Sequence, residues 1–488
     1  MTKIDLTMHP DQLERTVQRV RERNIIIPTF EQMRNPGLVP EKIKEELKGI
    51  GLWDIHPRNL FRITWYNEPK TSGGLFGGLN YLEFPESLTG TPARIVGLVG
   101  KWMPTGSHKV GAAFACLVPR LVTGQFDPTY QKAVWPSTGN YCRGGAYDSA
   151  LLACESIAIL PEEMSQERFE WLANVAGEII RTPGSESNVK EIFDKTWELR
   201  KSDPDVMIFN QFDEFGNYLW HYDITGHAIE ELVNEIAGPG DEYRGLISAT
   251  GSAGTIASGD YMKQLYPTSF IGAVETLQCP TLLLNGFGAH RVEGIGDKHV
   301  PWIHNISNTD LIIAVDDNAV MNLTRLFNEP EGKAYLVKEG ISEDLVENLD
   351  LLGLSSTINL LSAIKAAKYL ELTKNDIIVT MLTDSMELYE SRLEELHTEA
   401  GQYTEKDAAI DDARWLKGVT TDYMEELTYM AKKRVHNLKY YTWVEQQGKT
   451  YEEIQDMWYQ RDYWTELQAQ IPEIDTKIKE FNDRVGLL

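Results

Sequence analysis

The 488 residues, 42% hydrophobic and 25% charged, have the composition of an ordinary globular chain with room for about three folding units. A net charge of −26, from 47 Lys and Arg against 73 Asp and Glu, repels nucleic-acid phosphates and anionic lipid, so neither is an expected partner. Cys116, Cys142, Cys154 and Cys279 form no C-x-x-C pair, which argues against a zinc or other metal site and against a disulfide framework, and fits a reducing cytoplasm.

The N-terminus, MTKIDLTMHPDQLERTVQRV, has no apolar core of the signal-peptide type. No uncharged run reaches the ~20 apolar residues of a membrane-spanning helix. Residues 1–92 read as an N-terminal extension partly packed on a larger domain, with a helix over 8–23 and a Gly-rich loop, SGGLFGG, at 72–78. From residue 93 short β-branched runs recur: RIVGLVG, SIAIL, GEIIRT, GLISAT, FIGAVET, LIIAVDD and DIIVTML. Runs of this length without alternation are the mark of parallel strands buried on both faces. Helical segments lie between several of them. In SSTINLLSAIKAAKYL (355–370), Ser355 or Ser356 is placed to cap the N-terminus, and Leu360, Leu361, Ile364 and Ala367 form an apolar face. Strands alternating with helices predict an α/β fold with parallel sheets: a smaller domain over 93–210 and a larger one over 211–398. Beyond it, 399–488 reads as a helical extension. Thr450 and Glu453 fit a capping box, Trp464, Leu467, Ile471, Ile474, Ile478 and Phe481 make one apolar stripe, and Pro472 marks the start of a new helix.

Four segments carry chemistry. MPTGSHKVGAA (103–113) sets Lys109 where a loop turns into a helix, a setting in which a partly desolvated lysine can form a Schiff base with a carbonyl. WPSTGNYCRGGA (135–146) places Ser137, Thr138, Gly139 and Asn140 ahead of a helix, as a carboxylate cradle or a plain N-cap turn. In LISATGSAGTIASG (246–259), the strand is followed by Thr250, Gly251, Ser252, Ala253, Gly254 and Thr255 and then a helix, an arrangement suited to a phosphate dianion. It lacks the P-loop pattern and G-x-G-x-x-G, so neither an ATP-type nor a dinucleotide site is supported. VTMLTDSMELYESRL (379–393) ends a buried strand at Thr383-Asp384-Ser385, either a ligand-facing strand end or a simple helix cap.

In this order the four segments resemble the cysteine synthase and cystathionine β-synthase group of pyridoxal-phosphate enzymes, which share the tryptophan synthase β-subunit fold (fold type II). The resemblance runs from about residue 93 to 395. It implies pyridoxal 5'-phosphate as cofactor, Lys109 as the Schiff-base lysine, Asn140 at the cofactor's phenolic oxygen, residues 250–255 around its phosphate and Ser385 at its pyridine nitrogen. It also implies a substrate carboxylate held by Ser137, Thr138, Gly139 and Tyr141. PEEMS (161–165), NQFDEFGNYLWHYDITG (210–226) and HRVEGIGDKHVP (290–301) match further family stretches, adding Gln211 near the carboxylate and Gly294 beside the site. Val110-Gly111 after the lysine, Tyr141, Cys142 and Arg143 depart from the pattern. Arg143 would either pair with an anionic group of the substrate or form a structural ion pair.

The resemblance implies β-replacement on an activated serine-type amino acid through an aminoacrylate intermediate. Lys109 would act as general base, and a neutral hydroxyl at Ser385 would suit β-elimination over transamination unless Asp384 faces the ring instead. The alternatives are a β-eliminating lyase (a cysteine desulfhydrase or an amino-acid ammonia-lyase), a tryptophan synthase-like condensation, or a non-catalytic scaffold. The expected partners are a small amino-acid substrate and a second copy of the chain in a homodimer.

Overall fold

The computed structural model describes residues 4–137, 139–185 and 188–487. Each of the seven β-branched runs forms a strand, and together with four others they build two sheets. The strands are β1 (Tyr81–Phe84), β2 (Arg94–Val99), β3 (Lys132–Pro136), β4 (Glu155–Pro161), β5 (Glu178–Thr182), β6 (Val206–Ile208), β7 (Glu242–Ala249), β8 (Phe270–Thr276), β9 (Leu311–Val315), β10 (Asp376–Leu382) and β11 (Met424–Glu426). The larger sheet has the order β1-β2-β10-β7-β8-β9-β11, and the smaller one β5-β4-β3-β6. All pairings are parallel except those of the edge strands β1 and β11. The central strands are buried along all but their first residue and are mostly apolar, because helices cover both faces.

The sheets do not follow the expected domain division: β1 and β11 bring the N-terminal and C-terminal extensions into the larger sheet, and so does β2 for the stretch after residue 93. β2 does not join the smaller sheet; it pairs in parallel with β10 from Arg94↔Ile377 to Val99↔Leu382. The strand that leads to Lys109 is thus part of the larger sheet, and the smaller one starts at Lys132. A strand that is apolar on both faces fits any buried slot, so its partner is set by the packing around it. The other four strands lacked a readable signal: β3 ends in Pro136, β6 is three residues long, and β1 and β11 carry acidic side chains at the edges.

The helix read at 355–370 spans Leu354–Tyr369 and is capped by Gly353, with no serine side chain serving as cap. Every residue from Leu354 to Ala367 is buried, so the helix has no solvent face and Ser355 and Ser356 are interior. The N-terminal helix runs Pro10–Glu22, and the capping box of Thr450 with Glu453 is formed. Pro472 lies in the first turn of the last helix, Ile471–Val485. That helix buries Ile474, Ile478, Phe481 and Val485 against Pro10–Glu22 and the lysine helix Lys109–Thr123. The tail is therefore not purely helical: β11 extends the larger sheet, and the two chain ends meet over the helix that begins at Lys109. No helix among the described residues is long and apolar enough to cross a membrane.

Candidate active site

After β2 the chain turns through Thr105 and Gly106, both in the left-handed region (φ 72° and 74°), and enters the helix Lys109–Thr123 at its lysine. The turn projects Lys109 from the C-terminal end of the larger sheet. There its Nζ donates to Ser252 Oγ at 3.2 Å, and Ser252 Oγ also accepts from Asn217 Nδ2 at 2.9 Å. Ser252 belongs to the loop that follows β7. The backbone N–H groups of residues 251–256 find no acceptor among the described residues, and the helix Ala257–Leu265 begins next to them. Small side chains are needed here. A Cβ on Gly251 would lie 2.7 Å from the Gly294 carbonyl, and one on Gly254 would overlap the Asn217 amide. Ala253 adopts φ 61°, a left-handed setting of the kind from which anion-binding backbone turns are built. A row of free N–H donors at a helix N-terminus, with a lysine amine a hydrogen bond away, suits a phosphate-bearing carbonyl compound. Thr250 sits behind the loop, its hydroxyl donating to Val274 O and its carbonyl accepting from Gly296 N. Thr255 Oγ1 shares a hydrogen with Ser248 Oγ.

The second wall comes from the smaller sheet. Ser137 ends the β3 segment, and its Oγ accepts from Gly139 N at 3.1 Å and from Gln211 Nε2 at 3.3 Å, which brings Gln211 to the loop. Thr138 lies outside the described residues. Gly139 packs on Arg168, leaving no room for a side chain. Asn140 opens the helix Asn140–Leu151 and donates from Nδ2 to Asp384 Oδ2 at 2.6 Å. Tyr141 is edge-on to Trp135 (5.4 Å) and, with Lys109, Ser137, Asn140, Gln211, Gly251 and Gly294, lines one cavity between the sheets. Gly294 has φ 92°, a backbone setting that favours glycine.

Ser385 is buried just past β10 and takes no capping hydrogen bond; Thr383, two residues earlier, lines the cavity. Asp384 is not a cap either. Its Oδ2 accepts from Asn140 and from Tyr389 OH at 2.7 Å. Arg143 is buried with its guanidinium 4.7 Å from the Trp171 ring, and its Nε and Nη1 have no partner among the described residues. Burial and the nearby charge of Arg168 push it down to about 10. Arg168, also buried, is ion-paired with Glu293, which Arg392 also holds.

Several residues at the cavity carry no signal in the sequence pattern. His108 lines it, stacked on Trp65 at 5.8 Å and edge-on to His221 at 5.0 Å; burial pushes it down to about 3. Asn359, inside the buried helix Leu354–Tyr369, donates to Met381 O and accepts from Ala249 N, tying β10 to β7 at the ends that face the cavity. Asp297 is buried with Oδ2 unpartnered. Burial raises its carboxyl to about 7 against the lowering charge of Lys109. All three lie in stretches already singled out, His108 beside Lys109, Asn359 in the 355–370 helix and Asp297 in the GIGDKHVP loop, but none reads there as a site residue.

Comparison with known proteins gives a consistent picture. The family described as "Pyridoxal-phosphate dependent enzyme" matches residues 101–384. The chain is 29% identical over 287 residues to a probable cysteine synthase of Bacillus subtilis, covering 59% of this chain and 85% of that one. It is 30% identical over 287 residues to a cysteine synthase of Staphylococcus aureus, covering 59% and 84%. Among solved structures, a hydrogen sulfide-producing enzyme of Fusobacterium nucleatum superimposes with a TM-score of 0.55 at 23% identity, covering 64% of this chain and 97% of that one.

Proposed function

The chain belongs to the pyridoxal-phosphate dependent enzymes, and from that premise we propose that it replaces the β-substituent of an activated serine-type amino acid, as a cysteine synthase does. The observation that carries this reading is Lys109 Nζ hydrogen-bonded to Ser252 in a loop whose N–H groups 251–256 have no acceptor among the described residues. Residues 250–255 would hold the cofactor's phosphate, Asn140 its phenolic oxygen and Ser385 its pyridine nitrogen. When bound, pyridoxal phosphate supplies the electron sink that stabilises negative charge on the α-carbon of an amino acid.

The chain's own residues do the rest. Lys109 would hold the cofactor, and its amine would serve as the general base for the proton on the substrate's α-carbon. Ser137, Tyr141 and Gln211 would offer donors to the substrate carboxylate at the start of the helix Asn140–Leu151, where the helix dipole favours an anion, and Thr138 and Gly139 are assigned to the same carboxylate loop by the family resemblance. A serine hydroxyl at position 385 would give the ring nitrogen a neutral partner instead of a carboxylate, which would favour loss of the β-substituent over transamination. The two sheets meet across the cavity, so an approach of the smaller one would exclude water. The working state is a homodimer in the cytoplasm, as the family resemblance implies.

The test is an assay of purified, cofactor-loaded protein with an activated serine such as O-acetylserine, with and without sulfide. Cysteine formed only with sulfide, and lost in Lys109→Ala, supports replacement. Pyruvate and ammonia formed at the same rate whether or not sulfide is present would make the protein a β-eliminating lyase instead. Borohydride treatment should fix the cofactor to the peptide carrying Lys109, read by mass spectrometry.

A further inference from the structure

We propose that Asp384 is a positioning residue for Asn140, fixing the loop amide so that its nitrogen is presented to the cofactor cavity. This rests on the reading of that cavity as the cofactor site. Asp384 is fully buried at the end of β10, and its Oδ2 accepts from Asn140 Nδ2 at 2.6 Å and from Tyr389 OH at 2.7 Å. Tyr389 OH in turn accepts from Arg168 Nη2 at 2.9 Å. The amide oxygen of Asn140 has no partner among the described residues.

An amide oxygen and nitrogen are nearly isosteric, and what distinguishes them is the partner. An ionised carboxylate can only accept, so it selects the NH2 end of Asn140. One N–H goes to Asp384, and the second is left for an oxygen in the cavity that Asn140 lines. The carboxylate is itself pinned. Its Oδ1 lies against Gly353, where a Cβ would overlap it and would come within 2.9 Å of the Tyr389 ring. The backbone N–H of Gly353 donates to Asp384 O. Burial raises this carboxyl, while Arg168, Tyr389 and Asn140 favour its ionised form. The bond also joins the two sheets, since Asn140 follows β3 of the smaller one and Asp384 follows β10 of the larger. The competing view is that Asp384 serves only the Arg168–Tyr389 network, in which case its effect on Asn140 is incidental.

The experiment uses the full-length protein loaded with pyridoxal phosphate. Asp384→Asn keeps the shape but lets position 384 both donate and accept. We expect a shifted visible absorption maximum of the bound cofactor and a cofactor Kd weaker on the order of tenfold, the scale of a hydrogen bond to a charged group. Tyr389→Phe, which removes the other donor and leaves the Asn140 bond, should change both far less. Gly353→Ala, which displaces the carboxylate instead of removing it, should reproduce the spectral shift and covers the case in which Asp384→Asn does not fold. An unchanged spectrum and Kd in either folded variant at 384 or 353, or equal changes in Tyr389→Phe, would overturn the assignment. If the unmodified protein takes up no cofactor at Lys109, the cofactor reading fails first and this inference falls with it.

Discussion

Single residues near the cavity make sharp demands on their surroundings. Asp297 is the plainest case, with one carboxyl oxygen unpartnered and a carboxyl raised by burial to about 7. An unfolded aspartate loses its proton near the ordinary value of 3.8, so between the two values the native state holds a proton that the unfolded state has lost. Stability therefore falls as pH rises through that window and levels off above it. Asp297→Asn should flatten the profile, so thermal melts from pH 5 to 8 should show a smaller decline in the variant. Parallel profiles would mean that the group does not titrate there. Gly111 is a second case. It lies two residues past Lys109 in the same helix, and a Cβ there would overlap the Trp220 ring, itself fully buried. Gly111→Ala should cost about 1–3 kcal/mol by overpacking, read by urea denaturation, and should displace Lys109 enough to weaken cofactor uptake. Lys109, Ser252 and the glycines around them were legible because their types and order are distinctive. His108, Asn359 and the Asn140–Asp384 bond were not, since that bond joins positions 244 residues apart.

At the level of elements, the strands were readable because burial on both faces leaves an uninterrupted apolar run, and the short or edge strands were not because nothing comparable marks them. The C-terminal elements were legible in outline and not in attachment. Lys439 is buried completely, and its Nζ donates to the carbonyls of Trp302 and His304, just beyond the GIGDKHVP loop. Burial lowers this amine to about 7. Lys439→Met would leave two carbonyls short of a donor and should destabilise the fold by about 1–3 kcal/mol, measured as a lower urea midpoint at unchanged slope. The final helix, Ile471–Val485, makes an apolar seam with the lysine helix. Ile478→Ala should cost about 2–5 kcal/mol in the same assay, and a loss under half a kcal/mol would show that the seam is not part of the cooperative fold.

Across the whole molecule, the extensions are clamped to each other before either reaches solvent. Asp475 accepts from the backbone N–H groups of Phe30 and Glu31, and Asn482 exchanges two hydrogen bonds with Ile27. Both ends lie over the helix that begins at Lys109. Truncation at residue 470 should therefore give an insoluble or molten chain instead of a trimmed enzyme, seen as loss of near-ultraviolet circular dichroism. A soluble, cofactor-loaded truncation with native spectra would show that the body folds alone. The net charge has a separate consequence at this scale: at −26, non-specific association with polyanions is opposed.

The local chemistry could be read from the chain alone because it depends on residue type and short-range order: a lysine at a loop-to-helix turn, a loop of small residues after a buried strand, apolar runs of strand length. Folding in three dimensions was needed to show that β2 belongs to the larger sheet, that the tail adds a strand to it, and that Asp384 faces Asn140 instead of capping a helix. Those outcomes come from how buried surfaces and polar groups are satisfied between distant segments. A chain that is apolar on both faces, or a carboxylate that needs a donor, does not encode in its own neighbourhood which partner will meet it.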